Sequence, residues 1–429
     1  MLKQRGNISF RSHQRKPTTD VLFGVGTPPL RCRQGELLIE SQAADGLRLW
    51  AEHFEAIVWA VSCIPETIAE PMHCIDWTPV RSIRASSPVS VLPLPWSFDL
   101  RFIRDRSAVE SHLSRLISTS RYTQFALGGS WSGCWARVAA AVAMRARHPF
   151  SVHMETVLPS VAWAAADTLT AKLKYFCYYP LTQFKTRPIL QEAALVQCNG
   201  MDTFNHYFSQ CGNPFLIHNI HATESDLIQQ NALTLKRLRL AKNAPLRIHY
   251  SGRLISLKGP LEWLQALSAA RERGAVFKAA WMGDGEMKPA FLRDIQRLDL
   301  QECVTLIPFE SNRFRVLQFL EDADLLLFTH LSLESSRVQK EALIKGTPIV
   351  GYRTAYAEEL ISGAGGGVMS EMRNPVALGC ALNSLDKDRV GLAKLFHRAA
   401  LDGRRFVADR TFAERAKSIR AAIDTQWQG

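Results

Sequence analysis

The sequence lacks any apolar run approaching the ~18 residues that a membrane-spanning helix needs. Its most apolar stretch, VLPSVAWAAA (157–166), is shorter than that and ends at Asp167. The opening residues, MLKQRGNISFRSHQRK, carry charge but not the apolar core of a secretory signal, so we expect no such signal. These absences argue against an integral membrane protein and against export.

Cysteine is present without any pattern. The nine cysteines form no CxxC pair and show no regular spacing. An odd, unpatterned set argues against a zinc site and against a disulfide framework, and it is typical of a reducing compartment. We therefore predict a cytoplasmic protein.

Acidic residues are missing from residues 1–16, although the segment carries five basic ones within a formal net charge of +12. These are Lys3, Arg5, Arg11, Arg15 and Lys16. Two interpretations stay open: a flexible, solvated tail, or a peripheral contact with the anionic inner face of a membrane. No zinc-finger, RNA-binding or helix-turn-helix signature accompanies the charge, so we expect no nucleic-acid partner. The sequence indicates no oligomeric state.

Length and periodicity predict an α/β protein with two domains. A chain of 429 residues is too long for one ordinary core. From LRIHYSG (246–252) onward, apolar runs alternate with segments of helical periodicity, which indicates a parallel sheet covered by helices. In the noisier first half, residues 35–54 (GELLIESQAADGLRLWAEHF) predict one helix. The polar, basic segment 229–245 predicts a linker.

Ligands of such sheets bind beyond the carboxyl ends of the strands. Four loops of the second half follow predicted strands and should therefore surround any ligand. They are GRLISLKG (252–259), MGDGE (282–286), FESNR (309–313) and THLSLESSR (329–337).

The last of these loops leads into a short helix with polar groups suited to a phosphate. Ser336 and Gln339 form a capping-box pattern, which predicts a helix from Arg337 to Lys345. Amide groups at such a helix start favour an anion, and Glu334 and Glu341 would then accept hydrogen bonds from sugar hydroxyls. In isolation, two such glutamates are more typical of a solvated surface.

Two cations and several glycines belong to the same predicted edge of the sheet. Arg253 and Lys258 follow one strand, and they suit a diphosphate as a bidentate and a point-charge ligand respectively. Gly252 precedes them. Gly283 and Gly285 give a tight turn that would approach a nucleotide closely. Each of these signals is weak when taken alone.

Taken in order, GRLISLKG, WMGDGE, ADLLLFTHLSLESSRVQKEALIKGTPIVGY and GGGV resemble the donor half of GT-B glycosyltransferases of family four, the retaining group-one transferases. The resemblance implies two Rossmann-like, doubly wound domains facing across a cleft. It implies an acceptor-binding domain at 1–235, a donor-binding domain at 245–408, and a helix at 409–429 that crosses back to the first domain.

The resemblance also assigns roles to residues. Arg253 and Lys258 match the basic pair that neutralises the diphosphate, and Glu334 the glutamate that contacts the transferred sugar; these three are the predicted catalytic residues. Glu341 matches the glutamate that holds the ribose. Ser335, Ser336, Arg337 and Val338 match the phosphate-binding loop. One departure is that six residues separate the two glutamates, where the family has seven.

The first half offers four candidates near the acceptor or the sugar. His153 and Glu155 end a predicted strand facing the cleft, where the family often has a histidine. Gly24 and Gly26 could let the backbone approach a ligand. An ordinary surface histidine and ordinary turn glycines fit these positions as well.

We therefore expect a retaining glycosyltransferase that moves a sugar from a UDP- or GDP-hexose to a glycan or lipid-linked acceptor in polysaccharide biosynthesis. We expect no cofactor and no metal, because no DxD pair suited to a divalent ion is present; DAD (322–324) lies at a buried strand start. Two alternatives remain: a sugar-nucleotide epimerase of the same fold, and a non-catalytic nucleotide-sugar binding protein.

Overall fold

The structure is a computed structural model that describes residues 19–27, 30–68, 76–128, 133–164 and 168–428. The basic tail at residues 1–16 lies outside the described residues, so its two interpretations stay as they were. Within the described part of the chain, strands and helices alternate and build two separate sheets. No helix there is long and apolar enough to cross a membrane.

The first sheet has ten strands, of which the central ones are parallel. Its order is β10-β9-β8-β7-β1-β4-β2-β3-β5, with β6 paired to β4. The strands are β1 (Val21–Val25), β2 (Leu30–Arg33), β3 (Glu36–Glu40), β4 (Ala56–Ile64), β5 (Trp77–Pro79), β6 (Val89–Leu94), β7 (Tyr122–Leu127), β8 (Ser151–Met154), β9 (Leu195–Asn199) and β10 (Pro214–Ile217).

Helices cover both faces of this sheet, and together they form what we call the N-terminal domain. They are α1 (Ser41–Ala51), α2 (Val80–Ser86), α3 (Arg101–Arg104), α4 (Arg106–Thr119), α5 (Trp135–Ala146), α6 (Leu158–Ala164), α7 (Leu169–Glu192) and α8 (Met201–Tyr207). The single helix predicted over 35–54 is wrong. Its first part is β3, which pairs antiparallel with β2 and β5, and only its second part is the helix α1.

The second sheet has six parallel strands in the order β13-β12-β11-β14-β15-β16. They are β11 (Leu246–Ser251), β12 (Phe277–Met282), β13 (Val304–Ile307), β14 (Leu325–Phe328), β15 (Ile349–Tyr352) and β16 (Gly367–Ser370). The chain reverses its direction of travel across the sheet between β11 and β14. Such a reversal leaves a crevice at the carboxyl ends of the two strands, and in doubly wound sheets ligands bind there.

Nine further helices follow β10 in the described residues, and the first eight of them cover the second sheet. They are α9 (Gln230–Ala241), α10 (Pro260–Glu272), α11 (Lys288–Arg297), α12 (Arg313–Asp322), α13 (Arg337–Ile344), α14 (Ala355–Leu360), α15 (Pro375–Lys387), α16 (Arg389–Gly403) and α17 (Ala408–Gln428). The β14 sequence LLLF is buried at every position, because helices cover both faces of the sheet there. We call this sheet with α9 to α16 the C-terminal domain.

The predicted linker at 229–245 is wrong, because most of it is the helix α9. Leu233 and Leu240 are buried in the core of the C-terminal domain. Lys236 is buried as well, and its ammonium donates to the Thr347 hydroxyl at 2.7 Å. The amphipathic pattern is hard to recognise in the sequence because α9 also carries exposed leucines, Leu235 and Leu238.

The last helix, α17, packs against the sheet of the N-terminal domain. Its apolar residues, among them Phe412 and Ile419, share a core cluster with Leu22 of β1. Two ion pairs fix it at the surface: Arg121 with Asp424 at 2.9 Å, and Arg420 with Asp20 at 2.6 Å. The chain therefore returns to the N-terminal domain after completing the second one.

Candidate active site

A cavity of about 490 Å³ lies between the carboxyl edges of the two sheets. All four loops predicted from the strand ends contribute to its wall. From the C-terminal domain the lining includes Gly252, Arg253, Lys258, Met282, Gly283, Asp284, Phe309, Glu310, Ser311, Arg313, Glu334, Ser335, Ser336, Arg337, Val338 and Glu341. From the N-terminal domain it includes Glu40, Ser41, Gln42, Glu155 and His221.

The two predicted cations and both glutamates meet at this one cavity. Arg253 and Lys258 line it after β11, and Glu334 and Glu341 line it after β14. These two strands are neighbours in the sheet. The switch in chain direction therefore brings together groups that are separated by about 80 residues in the sequence.

The start of α13 faces the same cavity, but not through the predicted capping box. Ser336 is the N-cap residue, yet its side chain makes no cap hydrogen bond. Gln339 is buried, and its Oε1 accepts no hydrogen bond from the cap or from any other described group. The Ser336 carbonyl is fixed instead by the Tyr356 hydroxyl, which donates to it at 2.7 Å. Amide groups of the first turn are thus left to a ligand rather than to a side-chain cap.

Glycine is required where two of the loops meet. Gly283 has φ +152°, and a Cβ there would overlap the carbonyl oxygen of Gly252. Gly252 and Gly283 both line the cavity. Gly285, also predicted to bind the donor, is not among the lining residues; with φ +157° it packs against the backbone of Leu254. Glycine is therefore required at position 285 by the conformation and packing of the loop itself.

Lys258 and Glu334, predicted for separate contacts with a ligand, are bonded to each other. The Lys258 ammonium donates to Glu334 Oε1 at 2.7 Å, and both side chains are largely buried. Burial alone would raise the pKa of the Glu334 carboxyl, but Lys258 beside it holds that pKa below its ordinary value. Glu334 is therefore an ionised hydrogen-bond acceptor.

Sequence reasoning missed two residues behind this pair. His330 Nδ1 lies 3.4 Å from Glu334 Oε1, and the Tyr250 hydroxyl is 2.6 Å from His330 Nε2. Burial, with Lys258 nearby, lowers the pKa of His330 to about 3, and burial raises the pKa of Tyr250 well above its usual value. The neutral imidazole thus accepts from Tyr250 and presents its Nδ1 proton towards Glu334. A lone histidine after a strand gives no sequence signal for such an arrangement.

The N-terminal domain holds the shortened loop that carries Glu334. The Leu333 amide donates to Ser160 Oγ at 2.8 Å, and Glu334 pairs with Thr156 as an isolated antiparallel bridge. The Ser335 hydroxyl donates to the Asn199 carbonyl. Three consecutive residues are thereby anchored across the cleft, so the six-residue spacing between the glutamates still leaves Glu334 at the cavity.

A second cavity of about 450 Å³ adjoins the first and lies in the N-terminal domain. Both His153 and Glu155 line it, with His153 Nε2 at 3.1 Å from Glu155 Oε2. Burial lowers the pKa of His153. The Glu155 side chain is about half exposed at the cavity wall. Its partial removal from solvent would raise its pKa, but His153 and the nearby Lys340 and Arg337 lower that pKa to about 2.

The two glycines predicted at the end of the first strand differ: Gly24 lies within β1, and Gly26 follows it. Gly26 lines the second cavity, whereas Gly24 is not among the lining residues of either one. A Cβ at Gly24 or at Gly26 would overlap the indole ring of Trp59. Gly24 therefore makes room for an aromatic side chain of the neighbouring strand, which corrects its predicted position beside a ligand.

The second cavity also contains residues without a recognisable sequence signal. Arg415 comes from α17, is buried, and lies over the Trp50 ring at 4.6 Å from the ring centroid. Its Nε donates to Gln197 Oε1 at 3.2 Å. Trp50 and Trp59 give the cavity an aromatic wall. Only the return of α17 to the first sheet places Arg415 there.

Residues 235–402 match the family model described as "Glycosyl transferases group 1". The amylovoran biosynthesis glycosyltransferase AmsK of Erwinia amylovora is 28% identical over 131 residues, which are 29% of this chain and 32% of that protein. The match thus spans about a third of the length of this curated relative.

Solved structures match over nearly the full chain. HepE of Anabaena, in complex with UDP and glucose, has a TM-score of 0.65 at 15% identity and covers 94% of this chain and 99% of its own. Sucrose-phosphate synthase of Thermosynechococcus elongatus has a TM-score of 0.66 at 12% identity and covers 95% and 100%. At these identities the similarity concerns the fold. The chain has the GT-B fold, and residues 235–402, in its C-terminal domain, are similar to the group 1 glycosyl transferases.

Proposed function

We propose that the protein is a retaining glycosyltransferase that transfers a hexose from a UDP- or GDP-sugar to a hydroxyl of a glycan or lipid-linked glycan. We further propose that it acts in polysaccharide biosynthesis, as AmsK, the amylovoran biosynthesis glycosyltransferase, does by its name. One observation carries the proposal: Arg253, Lys258, Glu341 and the start of α13 line a single cavity.

The proposed donor site uses positive groups for the diphosphate and carboxylates for the hydroxyl groups. A leaving nucleoside diphosphate develops negative charge, which Arg253, Lys258 and the amides at the start of α13 would stabilise. Lys258 would then share its ammonium between the phosphate and Glu334. The ionised Glu334 and Glu341 would accept hydrogen bonds from hydroxyls of the sugar and the ribose.

The low pKa of Glu155 bears on the proposed stereochemistry. A carboxylate with a pKa of about 2 is a weak base near neutral pH, although it accepts hydrogen bonds well. In the proposed reaction the acceptor hydroxyl attacks on the same face that the diphosphate leaves. The departing phosphate oxygen can then take the proton, and no dedicated enzymic base is required.

The second cavity is the proposed acceptor site. It shares Glu155 and Arg337 with the first cavity, so an acceptor there would lie beside the donor sugar. A contact of the 1–16 tail with an anionic membrane also stays a proposal, as does the cytoplasmic location.

Donor screening tests the proposal. UDP- and GDP-sugars are tested for protection against thermal unfolding, and release of nucleoside diphosphate is then followed with and without oligosaccharide acceptors, each with and without EDTA. We expect protection by one donor class and acceptor-stimulated release that EDTA leaves unchanged, because side-chain cations replace the metal in this proposal. HepE was solved with UDP-glucose, so UDP-glucose is the first donor to test.

Other results would overturn the transferase. Interconversion of UDP-N-acetylhexosamines without acceptor would identify an epimerase. Protection without release or transfer would identify a binding protein. An absence of protection by every nucleotide sugar would remove the donor site itself.

A further inference from the structure

The long helix α7 of the N-terminal domain has its apolar side turned outward. Leu169, Leu173, Phe176 and Phe184 are exposed by 84%, 63%, 73% and 80%. Their spacing of four, three and eight residues places them on one helical face, together with the exposed Leu181 and Cys177. A helix that packs on a core normally turns this face inward.

The helix is attached to the domain mainly by its last turns. Ile189 and Leu190 are buried in the N-terminal core, whereas the four residues above are not. Nothing in the described residues covers this outer face. It is much more apolar than a solvated helix surface needs to be, so it has the character of a contact surface.

The charge of α7 is mostly positive, because its one acidic residue, Glu192, is the last residue of the helix. Residues 169–191 include three lysines and one arginine but no aspartate or glutamate. Arg187 and Lys185 are exposed near the last turns, and Lys172 lies over the Trp163 ring near the first. Exposed apolar side chains interspersed with basic residues suit the boundary between anionic headgroups and acyl chains.

We propose that this outer face of α7 docks on an anionic lipid bilayer. Two copies of the protein joined through this face would bring their basic residues together, which would oppose pairing, whereas anionic headgroups complement them. Because no helix of the described chain is long and apolar enough to span a bilayer, the contact is peripheral. Docking does not depend on sugar transfer and would hold even if the proposed reaction were wrong.

The surface lies next to the site. The helix α6 precedes α7 and packs against it through Trp163 and Tyr175, whose ring centroids are 6.2 Å apart. Leu158 of α6 lines the second cavity, and Ser160 of α6 accepts the bond from Leu333. Docking would therefore place the cavity within one helix of the lipid surface.

Two native cysteines provide an internal comparison. Cys177 lies on the proposed face, and Cys380 is exposed on α15 of the other domain. The full chain is labelled with a polar maleimide, alone and with vesicles of equal parts phosphatidylcholine and phosphatidylglycerol, and each cysteine is quantified by peptide mass spectrometry. We expect labelling of Cys177 to slow about tenfold with these vesicles, while that of Cys380 is unchanged.

A variant carrying Leu173→Ser, Phe176→Ser and Phe184→Ser should lose vesicle binding in co-sedimentation but keep the melting temperature, since these side chains are outside the core. Phe314→Ser is the matched control, because Phe314 is 73% exposed on α12 of the C-terminal domain. Deletion of residues 2–16 should leave the protection of Cys177 intact, which separates this surface from the basic tail.

Three results would overturn the proposal. Equal labelling of Cys177 with and without vesicles would show that the face stays in water. Loss of protection on deletion of the tail would move the contact to residues 2–16. Protection of Cys177 that rises with protein concentration in the absence of lipid, together with dimers in light scattering, would make this face an interface between two copies.

Discussion

The ammonium of Lys258 and the carboxylate of Glu334 form an ion pair at 2.7 Å in the wall of the cleft. The relationship joins a residue proposed to bind phosphate with one proposed to bind sugar. Each side chain is largely buried, so removal of either partner leaves the other as an unpaired buried group. Substitutions at either position should affect stability and activity together, and an experiment has to separate the two effects.

Replacing Lys258 by alanine should reduce release of nucleoside diphosphate by about 100-fold, because a fixed positive charge beside the leaving group is lost. It should also lower the free energy of unfolding by about 3 kcal/mol, because Glu334 stays buried without its partner. Steady-state kinetics and urea unfolding measure the two effects.

Adding Glu334→Gln to Lys258→Ala should recover much of the lost stability, since the unpaired charge is removed, but none of the lost activity. Lys278→Ala is the control, because Lys278 is an exposed lysine on β12. Full activity of Lys258→Ala would contradict the assigned role of the cation.

Glu341→Ala should weaken donor binding without unfolding the protein. Glu341 is only half-buried in the cavity wall, so truncation should change the free energy of unfolding by less than about 1 kcal/mol. Loss of one charged hydrogen-bond acceptor for the ribose should raise the donor Kd by about tenfold or more. Isothermal calorimetry measures this, with Glu358→Ala on α14 as the exposed control. Unchanged affinity would remove Glu341 from the site.

The low pKa of Glu155 predicts a pH dependence of stability. Its folded-state pKa is about 2, against ~4.3 in an unfolded chain, so its contribution is complete above ~4.3 and is lost as the pH falls towards 2. Thermal unfolding of the wild type and of Glu155→Gln should therefore differ most near neutral pH, and the difference should shrink below about pH 4. A difference that is constant with pH would show that the carboxylate is not stabilised by His153 and its neighbours.

Tyr250→Phe should loosen His330 and, through it, the orientation of the Glu334 carboxylate. The substitution leaves His330 Nε2 buried without its donor, which should cost about 1–2 kcal/mol in the free energy of unfolding. Since Glu334 loses orientation and not charge, kcat should fall by less than it does in Lys258→Ala. Equal stability of the variant and the wild type would show that the Tyr250 hydroxyl contributes nothing to the arrangement.

Much of the C-terminal domain could be predicted from the sequence because its strands are buried on both faces. LLLF of β14 is a continuous apolar run ending in a polar loop, and this alone marks the carboxyl edge of the sheet. All four loops at that edge reach the cavity. The alternation of strands and helices in the sequence is thus sufficient to predict which loops line the cavity, before any side-chain contact is known.

The parts that were missed depend on contacts distant in sequence. Residues 36–40 form an antiparallel edge strand, and ELLIE continues into a helix without an intervening glycine or proline, so one helix was predicted for both. Arg415 reaches the second cavity only because α17 packs on the first sheet. The bond of Tyr250 to His330 joins positions 80 residues apart, and no local pattern marks such a pair.

The central claim is that a nucleoside diphosphate binds between Arg253, Lys258 and the start of α13. The most direct measurement is a calorimetric titration of UDP and GDP into the wild type, the Arg253→Ala/Lys258→Ala variant and the Lys278→Ala control. We expect one of the two nucleotides to bind the wild type and the control with equal affinity, and the double variant to bind it at least about 100-fold more weakly. Equal affinity in all three proteins, or no binding of either nucleotide to the wild type, would contradict it.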